Sequence, residues 1–148
     1  MTVRKATTKD IPTIILFQQK MAWETEGIHL DPSVLTEGVK NIFQDVNRGE
    51  YYVADENETV VGSLMTTYEW SDWRNGTVLW IQSVYIDKGH RGKGIYKKMY
   101  EHIQQIVKKS PDLRGIRLYV DKTNESAQRV YEKLGMNGEH YQVFEWMK

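Results

Sequence analysis

The stretch from residue 79 to residue 109 constrains this chain most. It opens with Leu79-Trp80-Ile81-Gln82-Ser83-Val84-Tyr85-Ile86, aromatic and β-branched enough to read as a strand. A glycine-punctuated loop follows, Asp87-Lys88-Gly89-His90-Arg91-Gly92-Lys93-Gly94. The loop feeds a helix, read from about Gly92 to Lys109, with Ile95, Met99, Ile103 and Val107 four residues apart on one face. A second strand is expected over residues 115–120. Strand, helix and strand in that order make a right-handed parallel crossover. The fold must therefore contain a parallel strand pair with a helix laid across it.

The flanks fill in the rest. Thr2 to Ala6 reads as a strand. Thr8 or Asp10 caps a helix through Ile11, Ile14, Ile15, Met21 and Ala22, which Gly27 ends. Pro32 suits the first turn of a second helix, whose apolar face is Val34, Leu35, Val39, Ile42 and Phe43. Tyr51–Ala54, Thr59–Trp70 and Thr77–Ile86 read as a three-stranded antiparallel meander, its second turn carrying Asn75-Gly76. Asn124 to Leu134 reads as a helix closed by Gly135, and Tyr141 to Met147 as a last strand. The order βααβββαβαβ describes an α/β chain with a mixed sheet covered by helices. The length of 148 residues suits one domain over residues 1–148.

Composition removes whole classes of function. Lys plus Arg and Asp plus Glu balance at 20 each, so neither a nucleic-acid binder nor a polybasic membrane protein is expected. No stretch approaches the roughly 20 apolar residues of a membrane span. Met1 to Asp10 lacks the apolar core of a signal peptide, and a cytoplasmic location is expected. The absence of cysteine excludes disulfides, zinc thiolates and a cysteine nucleophile. The four histidines lack ligand spacing, so no metal is expected.

Two segments carry chemistry. In the loop, Gly92 and Gly94 let backbone amides approach a ligand at a helix N-terminus, where the dipole favours anions. Arg91 and Lys93 add charge, and the whole suits a diphosphate. Neither the nucleotide P-loop nor the dinucleotide glycine fingerprint is present. In the second segment, Asn124 sits at a helix start. Ala127 leaves room on one face, and Tyr131 stands two turns on, where a phenol can deliver a proton.

Together these segments resemble the GNAT superfamily of acyl-CoA-dependent N-acyltransferases. That family's pyrophosphate loop reads Q/R-x-x-G-x-G/A, which Arg91-Gly92-Lys93-Gly94-Ile95-Tyr96 follows except at Tyr96. A large side chain there must point away from the phosphates. A second signature, N-x-x-A-x-x-x-Y-x-x-x-G-[FM], is met by Asn124, Ala127, Tyr131, Gly135 and Met136. The resemblance covers the whole chain and implies a three-layer α/β/α fold with acetyl-CoA as co-substrate. By that resemblance, backbone groups of Val84, Tyr85 and Ile86 hold the pantetheine arm, and the Val84 amide faces the thioester oxygen. The segment from Gly92 through Lys93, Gly94, Ile95 and Tyr96 to Lys97 holds the pyrophosphate, with Arg91 at its start. Asn124 and Ala127 border the cofactor. A primary amine attacks the thioester directly, and Tyr131 protonates the thiolate that departs.

Such an amine must lose a proton first. The family often uses a Glu on the fourth strand, where this chain has Gln82. Glu24, Glu26, Glu69 and Asp72 are the alternative carboxylates. A partial resemblance to diamine N-acetyltransferases points to a small-molecule, polyamine-like acceptor. Gln82-Ser83 replaces the adjacent acids those enzymes carry. Trp23, Trp70, Trp73, Trp80 and Gln82 could line an acceptor pocket. A homodimer is expected by the same resemblance. The competing readings are a non-catalytic acyl-CoA sensor and a protein N-acetyltransferase.

Overall fold

The structure is a computed structural model that describes residues 1–148. It separates into two compact units, residues 1–117 and 118–148. In the first, every expected element forms. The strands are β1 (Thr2–Lys5), β2 (Glu50–Glu56), β3 (Thr59–Ser71), β4 (Gly76–Ile86) and β5 (Leu113–Arg117). The helices are α1 (Ile11–Glu26), α2 (Pro32–Gln44) and α3 (Ile95–Lys109). One sheet runs in the order β1-β2-β3-β4-β5, antiparallel except for the parallel β4–β5 pair. The crossover read from residues 79–120 is that pair, with α3 between its strands.

Alternation along β2 sorts the layers. Tyr51 and Val53 point to one face and join Ala6, Ile14 of α1 and Val39 of α2 in a buried cluster. Tyr52 points to the other face and meets His102 of α3, ring centroids 5.7 Å apart. The sheet therefore lies between α1 and α2 on one side and α3 on the other. Gly27 ends α1 in the left-handed region at φ 65°, and the Asp31 carboxylate caps α2 by accepting from the amides of Ser33 and Val34.

The second unit holds α4 (Glu125–Lys133), capped by the Asn124 side chain, which accepts from the Ala127 amide at 3.1 Å. Three expectations need correction. The strand read to Val120 stops at Arg117. The third helix starts at Ile95 rather than Gly92, because Gly92 and Gly94 lie at φ 76° and 75°, outside the helical region. No strand forms over residues 141–147. Its residues have strand propensity, but a strand exists only where a neighbour takes its backbone hydrogen bonds.

Candidate functional site

The bend in β4 is the first piece of the site. Gln82 pairs with Met65 and Tyr85 with Ser63, so Ser83 and Val84 together face the single residue Leu64. This is a β-bulge, and Ser83 sits at φ 55°, a left-handed conformation uncommon for a residue other than glycine. Gln18, buried on α1, reaches the Ser83 carbonyl at 3.5 Å. The β4–β5 ladder ends at Trp80–Arg117, so Ile81 to Ile86 carry no strand on that side. A bulge that re-aims the Val84 amide beside an open strand edge is what an extended amide-bearing ligand requires.

The loop is the second piece. Gly92 and Gly94 have open space where a Cβ would stand, yet their positive φ angles select glycine. No side chain caps α3, so its N-terminal amides face outward. Tyr96 lies along α3 towards Tyr100, ring centroids 6.4 Å apart. Its bulk therefore follows the helix. These features fit a pyrophosphate, with positive dipole and glycine backbone in one place.

Arg91 is the third piece. Its Nε donates to the Ile86 carbonyl at 2.9 Å, and one terminal nitrogen pairs with Glu24 at 3.0 Å. The guanidinium lies 5.2 Å from the centre of the Tyr85 ring. It thus ties the end of α1 to the end of β4. A cleft of about 710 Å³ opens here, lined by Lys20, Trp23, Glu24, Tyr85, Lys88 and Arg91. Burial pushes the Glu24 carboxyl up, but hydrogen bonds from Arg91 and Tyr85 and the charges of Arg91 and Lys88 outweigh it. The net effect holds the carboxyl below its usual range. Burial, then the bond to Glu24, pushes the Tyr85 phenol up to about 12. A carboxyl lowered in this way is a weak proton acceptor.

The other expected residues scatter. Glu26 ends α1, exposed. Gln82 donates to the Thr67 hydroxyl at 2.9 Å. Trp23 is 56% exposed and stacks on His29 at 4.7 Å, while Trp73 stands 93% exposed beyond β3. Lys93 and Lys97 are exposed beside the loop. In the second unit, burial pushes the Tyr131 phenol up, so it stays protonated at neutral pH. Sequence reasoning missed Gln18, and it named Glu69 and Trp80 without joining them to each other or to Arg117. Glu69 accepts from Trp80 Nε1 at 2.8 Å and from Arg117 at 2.7 Å, and these bonds, Arg117's first, hold its carboxyl low. Gln18 was visible as a polar residue on the buried stripe of Ile14, Phe17 and Ala22. The Glu69 cluster joins three strands and left no mark in local sequence.

A mixed sheet, a bulged fourth strand with an open edge, and a glycine loop entering a helix define the acyl-CoA N-acyltransferase type of fold. Residues 16–136 match the Acetyltransferase (GNAT) family, and the chain belongs to it. A spermine/spermidine N(1)-acetyltransferase of Bacillus subtilis (strain 168) is 32% identical over 93 residues. The match covers 62% of this chain and 60% of that protein. The chain thus spans about three-fifths of the length of that relative. The crystal structure of "a possible acetyltransferase from Clostridium difficile 630" is 45% identical, with a TM-score of 0.92 over 99% of this chain and 97% of that one. A "predicted acetyltransferase with acetyl-CoA from Clostridium acetobutylicum" is 23% identical, with a TM-score of 0.74 over 99% and 94%, a likeness of fold. No helix is long and apolar enough to cross a membrane.

Proposed function

We propose that this chain is an acetyl-CoA-dependent N-acetyltransferase for the primary amine of a small, polyamine-like molecule. The observation that carries the reading is the uncapped, glycine-entered start of α3 beside the open edge of β4. In this reading residues 1–148 act as one catalytic domain, as a homodimer in the cytoplasm. Amides from Gly92 to Lys97 hold the pyrophosphate, and Val84 to Ile86 hold the pantetheine. The Val84 amide, turned by the bulge, donates to the thioester oxygen as negative charge grows there. Asn124 and Ala127 border the cofactor. The neutral amine attacks, and Tyr131 gives its proton to the leaving thiolate. Its raised pKa supports that role, since the phenol stays protonated until the thiolate forms. Glu24 fits a positioning role better than a base, because Arg91 and Tyr85 hold it. Glu26 and Asp72 remain as candidates for the base, directly or through water. The B. subtilis relative supports a polyamine-like acceptor, and membership of the acetyltransferase family supports the donor.

The experiment is acetyl-CoA-dependent thiol release across polyamines, amino acids, aminoglycosides and lysine peptides. Turnover is expected with polyamines. Tyr131→Phe should keep acetyl-CoA affinity and lose about a hundredfold in kcat. Unchanged kcat would remove Tyr131 from its role. Binding without turnover on the whole panel would move the chain to the sensor reading. No binding would end the donor assignment.

A further inference from the structure

The bulge in β4 contains one peptide group whose two ends do different work. The bond between Ser83 and Val84 is trans, so its carbonyl and its N–H lie in one plane and point opposite ways. Whatever grips the Ser83 carbonyl therefore aims the Val84 N–H. Gln18 of α1 supplies that grip, its Nε2 donating to the Ser83 carbonyl at 3.5 Å.

Gln18 stands out on its helix. It is 6% exposed, on the stripe where Ile14, Phe17 and Ala22 pack. A polar side chain buried there costs stability unless it is bonded. Leucine or methionine would fill the same space, but neither could hold a carbonyl. The helix is also fixed lengthwise along the end of the strand. Phe17 packs on Tyr85 with ring centroids 5.0 Å apart, Lys20 pairs with Asp87 at 3.1 Å, and Glu24 pairs with Arg91 at 3.0 Å. These contacts follow one another along both elements and keep Gln18 beside Ser83.

We propose that Gln18 is a positioning residue for the reaction, holding the Ser83–Val84 peptide so that its N–H meets the thioester oxygen. The inference rests on the proposed role of the Val84 amide and deepens it. As negative charge grows on that oxygen, the peptide polarises and its carbonyl becomes a stronger acceptor. The Gln18 bond then tightens, so it is worth more in the transition state than with substrate bound. A contact that strengthens only at that point raises kcat and leaves KM for acetyl-CoA nearly unchanged. Gln18 itself touches neither substrate nor cofactor.

Gln18→Met keeps the length and packing of the side chain and removes the donor. It should lower kcat about tenfold, part of the hundredfold or more that losing an oxyanion donor costs, with KM for acetyl-CoA within about twofold. Gln18→Asn, one methylene short of the carbonyl, should do the same and serves where the methionine variant fails to fold. Magnetic resonance reads the peptide without turnover. Isotope labels at serine carbonyls and valine amides together mark only peptides in which serine precedes valine. The chain has two, Ser33–Val34 and Ser83–Val84. Ser33→Ala deletes the first signal and so assigns both. In Gln18→Met the Ser83 carbonyl should move upfield, as a lost hydrogen bond requires, while Ser33 stays in place. Adding acetyl-CoA should move the Val84 amide proton in the parent chain and move it less in the variant. A Ser83 carbonyl that does not move overturns the proposal, as does a Val84 proton indifferent to acetyl-CoA in the parent chain. So does an unchanged kcat beside a moved carbonyl, or a loss that falls on KM alone. A parent chain that turns over no acceptor ends the acetyltransferase reading instead, and the carbonyl and amide signals then decide where Gln18 aims the peptide.

Discussion

Arg91 stands at the head of the glycine loop, and its guanidinium is shared among the Ile86 carbonyl, the Glu24 carboxylate and the Tyr85 ring. A phosphate-binding arginine would keep those donors for the ligand. Here they fix where the loop leaves β4, so in the proposed reading the role of Arg91 toward the cofactor is to hold backbone position. Both partners are partly exposed, which keeps the pair's worth near 1 kcal/mol. Glu24→Gln and Arg91→Gln should each weaken acetyl-CoA binding about fivefold, and the double variant no more than either alone. Titration calorimetry reads this. Additive losses would mean that the two side chains act separately.

At the scale of elements, the bulge in β4 decides where the Val84 amide points. Ser83 accepts φ 55° at a cost of roughly 1 kcal/mol, which a short polar side chain tolerates and a β-branched one does not. Ser83→Val should lower stability by about 1–2 kcal/mol and lower kcat more than it raises KM for acetyl-CoA, because the amide turns with the backbone. Ser83→Gly should keep both constants near their starting values. Denaturant midpoints with steady-state kinetics on the two variants check this. The bulge itself was not legible in the sequence. Leu79 to Ile86 reads as an unbroken strand, and only the register against β3 shows two residues facing one. The loop was legible, because glycine at positive φ and an uncapped helix start are local matters.

Across the whole first unit, Asp10 joins the chain's start to the sheet. It is 6% exposed, accepts from Arg4 at 2.8 and 3.1 Å, and accepts from the Thr7 amide at 2.7 Å. Arg4 reaches on to Asp55 of β2. The Arg4 hydrogen bond, against burial and with help from Thr7, holds the Asp10 carboxyl below its usual range. A carboxyl lowered by folding contributes stability above its unfolded value near 4, and that contribution is lost as pH falls through the lower folded value. Asp10→Ala should therefore cost about 2 kcal/mol at pH 7. The gap to the parent chain should narrow below about pH 4. Urea titrations between pH 2 and 7 measure it. A gap constant with pH would show that the loss is one of packing alone.

What the sequence determined by itself was periodic or local. The apolar spacing of α1, α2 and α3, the Asn75-Gly76 turn, the Gly27 stop and the Asn124 cap each depend on a few neighbouring residues. The two signatures each lie in one short continuous stretch, Arg91 to Tyr96 and Asn124 to Met136, so they were legible without a partner in view. Tertiary structure decided whatever needs two distant segments at once. The clasp of Glu24 to Arg91 spans α1 and the loop. The Glu69–Trp80–Arg117 cluster spans three strands. The segment 141–147 looks like a strand and forms none, because side-chain alternation is written in the chain, whereas the ladder that makes a strand belongs to whichever edge is brought beside it.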